Sequence, residues 1–201
     1  MSATRLLVLG AVRMYGKAHG YQVRRELQTW SADRWAKAQP GSIYHALKKM
    51  AAEGLLEVVD TEPGKAGPDR TGYRLTSEGE THYQVLLSQA VVEADPWQPQ
   101  TELFFAGMSL LPTMPRKQAI SALRQRVTTL RAQRSNWHQH LESSEGWGEP
   151  PHVFEMYRLW GGQVHTAIEW TEQLIDKLAA GEFVMADDSA AAFGAPPSNH
   201  D

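Results

Sequence analysis

The chain has 201 residues, a formal net charge of −3, 42% hydrophobic residues and no cysteine. That apolar content suffices for a packed core, and the missing cysteine excludes disulfides, thiolate metal sites and cysteine nucleophiles. No apolar run approaches the ~18 residues of a membrane-spanning helix and no secretory signal is read, so the expected location is the cytoplasm.

The first predicted helix covers residues 4–15, with Leu6, Leu7, Leu9 and Val12 on its core side. Gly16 and Gly20 bracket a turn. A second helix follows over residues 21–30, with Val23 and Leu27 one turn apart on one face. Gln39-Pro40-Gly41 opens a third helix, because proline suits a first turn where its missing N–H costs nothing. This helix runs to about Glu53 and stops at Gly54, a favoured cap residue.

The two faces of the third helix differ. Ile43, Leu47 and Met50 recur at four and three residues and point inward. Ser42, His45, Lys48 and Lys49 fall on the remaining arc, with no acid before Glu53. A helix that is apolar on one side and cationic, hydroxyl- and imidazole-bearing on the other fits a DNA major groove.

Residues 55–61 and 72–76 read as two strands joined by a turn-rich, basic-tipped loop. Thr76 offers the N-cap of a helix to about Glu93. Helix, helix, helix, hairpin, helix is the order of a winged helix-turn-helix. Asp95-Pro96-Trp97-Gln98-Pro99 then ends any preceding helix. Residues 1–93 hold twelve Lys or Arg and ten Asp or Glu, against eight and thirteen afterwards, which permits a basic patch on the first part.

The second half reads as helical. A short apolar helix covers residues 101–111. Pro115 starts a long one whose Ile120, Leu123, Val127, Leu130, Trp137 and Leu141 keep a three-then-four spacing, broken at Arg134. A last helix over residues 151–180 carries Val153, Tyr157, Trp160, Val164, Ala167, Leu174 and Leu178, with Thr171 interposed. Such seams want partners. They either meet each other in a hairpin or form a dimer interface, and the many aromatics favour the dimer. The cations Arg116, Lys117, Arg124, Arg126, Arg131 and Arg134 read as a solvated face or as partners of an acidic helix. The stretch from Asp187 has no apolar periodicity and reads as a disordered tail.

Five blocks carry a family resemblance: Leu6-Leu7-Val8-Leu9-Gly10, His19-Gly20-Tyr21-Gln22-Val23, Pro40-Gly41-Ser42-Ile43-Tyr44-His45-Ala46-Leu47, Glu53-Gly54-Leu55-Leu56-Glu57 and Tyr73-Arg74-Leu75-Thr76-Ser77-Glu78-Gly79. In this order they resemble the PadR family of bacterial transcriptional regulators, over about residues 4–92. The second half resembles the longer PadR subfamily in arrangement only. The resemblance implies a homodimer of two winged helices, usually a repressor, that releases DNA when a small aromatic or lipophilic effector binds near the dimer interface. Many relatives have a shorter Gly-Gly-Pro-Arg wing tip leading into Lys-Tyr-Tyr, where this chain has Pro68-Asp69-Arg70-Thr71-Gly72-Tyr73.

The expected fold is therefore mainly α with a small β-hairpin wing. Residues 1–93 would form the winged helix-turn-helix, residues 94–185 a helical dimerisation and effector-binding domain, and residues 186–201 a disordered tail. The expected partners are a palindromic operator in double-stranded DNA, a second copy of the chain and the effector, with no membrane and no cofactor. The expected DNA contacts are Ser42, Tyr44, His45, Lys48 and Lys49 on the third helix and Lys65 and Arg70 at the wing. Arg24, Arg25 and Arg74 are secondary candidates. Phe104, Met108, Trp137, Tyr157 and Trp160 are the expected effector contacts, since such pockets are mostly apolar. His138 with Glu142 and His165 with Glu169 have chelating spacing, but such pairs arise by chance on helices. No catalytic motif is read, so an enzyme is not expected. The alternative is a winged-helix ligand-sensing or protein-partner module without sequence-specific DNA binding.

Overall fold

The computed structural model describes residues 2–62, 70–95, 97–98, 101–143, 150–189 and 192–193. The first helix, α1 (Ala3–Tyr15), is central to the fold. Leu6, Leu7, Val8, Leu9, Ala11 and Val12 are all fully buried, so the helix is covered on every side and not on one stripe. Next come a two-residue strand β1 (Ala18–His19) and α2 (Gly20–Thr29). A single turn, α3 (Ala32–Trp35), follows, held where the Trp35 indole N–H donates to the Trp30 carbonyl at 3.0 Å.

The helix α4 (Pro40–Ala52) begins with proline in its first turn, as its sequence dictates. It ends where Gly54 takes φ 76° and the Leu55 N–H donates to the Met50 carbonyl at 2.9 Å. Strands β2 (Leu56–Glu62) and β3 (Arg70–Leu75) form the wing. The sheet order is β1-β3-β2 with both pairs antiparallel. The register shifts between Val58 and Asp60, leaving Val59 as the extra residue of a bulge. Opposite it, Gly72 leaves room for the Asp60 carboxylate, which a Cβ would strike at 2.2 Å. Lys17 pairs with that carboxylate and holds its pKa below the usual range. The small residue at the wing's base thus serves an ion pair that ties wing to core.

Helix α5 (Ser77–Val92) starts where the Thr76 hydroxyl accepts from the Gly79 N–H. Its Tyr83 is fully buried. The Thr113 hydroxyl donates to the Leu110 carbonyl at 2.7 Å, so the Tyr83 phenol donates to Thr113, also at 2.7 Å. Burial pushes the Tyr83 pKa up to about 12 from 10.0. The folded chain holds this proton where the unfolded chain gives it up. Stability from this group is complete below pH 10 and is lost as pH rises through about 12. Tyr83→Phe is expected to cost about 1 kcal/mol at neutral pH and to remove that part of the alkaline loss. Urea unfolding at pH 8 and pH 11 checks both.

Helices α6 (Glu102–Leu110), α7 (Arg116–Ser143) and α8 (Pro151–Ala179) make up the remainder, with a short 3-10 turn over Leu111–Thr113. The apolar seams of α7 and α8 meet each other, bringing Leu123, Val127 and Leu130 into one buried cluster with Val164, Ala167 and Leu178. Arg131 pairs with Glu172 across them at 2.5 Å. Helix α6 also packs on α1 and α5, so one continuous core runs across residue 93.

Two expectations are corrected here. Arg126 is not on a solvated face. It is fully buried, its guanidinium 3.7 Å from the Phe104 ring centroid, and desolvation lowers its pKa to about 10. The start of the tail is also held in place. Asp187 accepts from the Arg116 backbone N–H, Asp188 pairs with the Arg116 guanidinium, and Phe193 packs edge-on to Trp30. Residues 194–201 lie outside the described ones. Gly161 and Gly162 sit mid-way along α8, where each costs a helix roughly 0.5–1 kcal/mol relative to alanine. A Cβ at either would meet no atom within 4 Å, so packing within the chain does not require them.

Candidate nucleic-acid interface

The inward face of α4 is settled by Ile43, Leu47 and Met50, all at zero exposure. With 100° between successive residues, this turns His45, Lys48 and Lys49 outward, and all three are exposed. Tyr44 is 40% exposed, its ring lying against Gly20 at the start of α2. Ser42 is half-buried, and its hydroxyl donates to the Gln39 carbonyl at 2.8 Å. The bond is helix-start chemistry, which leaves the oxygen's lone pairs for a further contact.

Cations of the winged helix divide into two groups. Arg5 pairs with Glu53, Arg13 with Glu80, Lys17 with Asp60, Lys37 with Glu102 and Arg74 with Glu57. These lie on α1, its following turn, the α3–α4 linker and β3. Arg24, Arg34, Lys48 and Lys49, on α2, α3 and α4, form no ion pair among the described residues. Arg25 lies close enough to Tyr15 to bond its phenol. Three of the four unpaired cations therefore lie on α2 and α4, and the fourth, Arg34, on the single turn between them.

Arg70 begins β3 opposite Glu62, at the root of the wing's loop. Its side chain and the whole of Lys65 lie outside what the structure describes. Sequence reasoning missed β1, because two residues carry no period. Its consequence is a third strand that fixes β3, and hence the wing, to the turn before α2.

The five expected effector residues divide. Trp137, Tyr157 and Trp160 come together, and Trp97 joins them, its ring 4.8 Å from Trp137 and 5.0 Å from Trp160. Trp97 is held by the Asp95 carboxylate, which accepts from the backbone N–H groups of Trp97 and Gln98. Phe104 instead sits between Arg126 and Trp170. Met108 packs, half-buried, against the main core. His165 and Glu169 approach to 3.4 Å. Among the described residues no three His, Asp or Glu side chains are grouped to hold a metal, and no helix is long and apolar enough to cross a membrane.

Helix order, the three-stranded sheet and the open face of α4 define a winged helix-turn-helix. Residues 8–85 match the family model described as the transcriptional regulator PadR-like family. No curated protein matches the chain significantly. Among solved structures, it is similar to Bacillus subtilis PadR in complex with operator DNA: 18% identity, 87% of this chain and 98% of the other covered, TM-score 0.38. It is also similar to Bacillus subtilis PadR in complex with p-coumaric acid: 16% identity, 88% and 99% covered, TM-score 0.36.

Proposed function

We propose that the protein is a sequence-specific DNA-binding transcriptional regulator that acts as a homodimer. The observation that carries this reading is the unbalanced positive face of α2 and α4, in a domain whose other described cations are mostly paired. Residues 1–93 bind DNA. Each α4 enters a major groove, with Ser42, His45 and Lys48 reading base edges and Tyr44 and Lys49 on the backbone. Lys65 and Arg70 track a phosphate or the minor groove. Two copies held one helical turn apart, or a multiple, read a palindromic operator.

Residues 94–185 hold the copies together. Met156 and Leu159, 48% and 61% exposed on one side of α8, are the kind of surface a second copy covers. Control is repression released by a small-molecule effector, which acts by binding one arrangement of the two winged helices better than the other.

Selection of a preferred duplex from a random library, followed by fluorescence anisotropy against a scrambled duplex at two salt concentrations, tests the reading. A preference of ~1,000-fold or more is expected, and log affinity should fall with log salt by about 0.9 per phosphate contact. Equal, weak binding to both duplexes would favour the alternative, a sensing or partner-binding module on the same fold.

A further inference from the structure

The segment after α8 is fastened far more heavily at one end than at the other. Gly181 closes α8 at φ 77°, its N–H donating to the Leu178 carbonyl. The chain then passes the head of α7. Met185 is buried, the Ala186 N–H donates to the Met114 carbonyl, and the Asp188 carboxylate accepts from the Met185 N–H at 2.8 Å. The Arg116 guanidinium donates to the Leu178 and Phe183 carbonyls and pairs with Asp188. The far end rests on Phe193, whose ring meets Trp30 edge-on with centroids 5.5 Å apart. Beside it lies an open cavity of about 410 Å³, lined by Met14, Glu26, Trp30, Ser109 and Phe193, so the ring fills only part of its seat.

What Phe193 touches leads to the start of α4. Trp30 caps α2, and its carbonyl holds α3 by accepting from the Trp35 indole N–H. The Asp33 carbonyl of α3 accepts from the side-chain amide of Gln39, the N-cap of α4, at 3.3 Å. From its other side the same segment is held by α6, through Phe105, 6.2 Å from Trp35, and through Glu102, paired with Lys37. Ser31 and Lys37, before and after α3, take φ of 55° and 52°. Residues with side chains keep that conformation only where surrounding contacts enforce it.

We propose that Phe193 is the releasable jaw of a clasp that grips residues 30–37 and so holds the start of α4 in the orientation that binds DNA. One edge-on ring contact biases an equilibrium by about tenfold, which suits a joint that opens and closes within the folded protein. With the clasp closed, the head of α7 is tied to the segment preceding α4. With it open, the strained turn relaxes and α4 is less preorganised for its groove. The link to DNA rests on the regulatory reading, whereas the clasp itself is measurable without DNA.

Hydrogen exchange of the full chain and of its Phe193→Ser and Phe193→Tyr variants, read by mass spectrometry, tests the clasp. Amides of residues 30–39 should exchange about tenfold faster in Phe193→Ser. They should keep the parent rate in Phe193→Tyr, which retains a ring, and α1 and residues 181–188 should be unchanged in both. Anisotropy then tests the link to α4. The selected duplex should bind Phe193→Ser about tenfold more weakly and Phe193→Tyr as it binds the parent, and a chain ending at Ser189 should behave as Phe193→Ser. Unchanged exchange over residues 30–39, or faster exchange spread evenly over the whole chain, would overturn the clasp. Faster exchange there with an affinity within about twofold of the parent would overturn its link to α4. A parent chain with no sequence preference would overturn the regulatory reading, and exchange would still decide whether the clasp exists.

Discussion

Lys48→Glu is expected to weaken binding to the selected duplex by about 100-fold or more. Lys48 is exposed on α4, one turn from Tyr44, and forms no ion pair among the described residues. Reversal removes one cation from the groove and sets a carboxylate against phosphate, a like-charge juxtaposition worth several kcal/mol. Folding should be untouched, since an exposed side chain away from any structural feature changes stability by about 0.5 kcal/mol at most. Anisotropy and thermal melting of the same preparation separate the two effects. An affinity within threefold of the parent would remove α4 from the interface.

Gly79→Ala should be the most damaging small substitution in the winged helix. A Cβ at Gly79 would fall 2.0 Å from the Leu55 carbonyl oxygen, which is backbone and has no rotamer to move. Nor can α5 slide away freely. The Gly79 N–H donates to the Thr76 hydroxyl, that hydroxyl donates to the Gly54 carbonyl at 2.7 Å, and the Thr76 N–H donates to Leu55. Relieving the overlap breaks this lacing, and it also displaces the end of α4 that Gly54 closes. A loss of about 3 kcal/mol is expected, a large part of the ~5–15 kcal/mol that holds a domain folded. Urea unfolding measures it, and a loss under about 1 kcal/mol would show that the turn yields.

Residue order does not show that Gly79 abuts the Leu55 carbonyl. Punctuation was legible: Pro40, Gly54, Thr76 and Thr101 stand at the helix ends where cap chemistry puts them. So was the inward triplet Ile43, Leu47 and Met50, because a period of 3.6 fixes a face once the helix is granted. A period does not name the partner. It left Val8 off the core side of α1, whereas Val8 is fully buried. Apolar character alone grouped Phe104 with Trp137, though Phe104 turns to Arg126. It left Trp97 in a proline-flanked linker, and Asp95 carries that linker back onto α7.

The stretch from Asp187 read as a disordered tail for the same reason. Composition does not show that Arg116, at the head of α7, gathers the Leu178 and Phe183 carbonyls together with Asp188. The candidate site was legible in its residue types. What the structure adds is which cations are already paired, and that distinction turns a mildly basic domain into one with a directed face.

A photo-crosslinking residue at position 45, with one at position 159 on α8 as control, tests the central claim most directly when the protein is bound to its selected duplex. The account predicts a crosslink from position 45 to bases of the half-site and none from position 159. A duplex bound with full sequence preference and no crosslink from position 45 would contradict it, because α4 would not then be the element that reads the DNA.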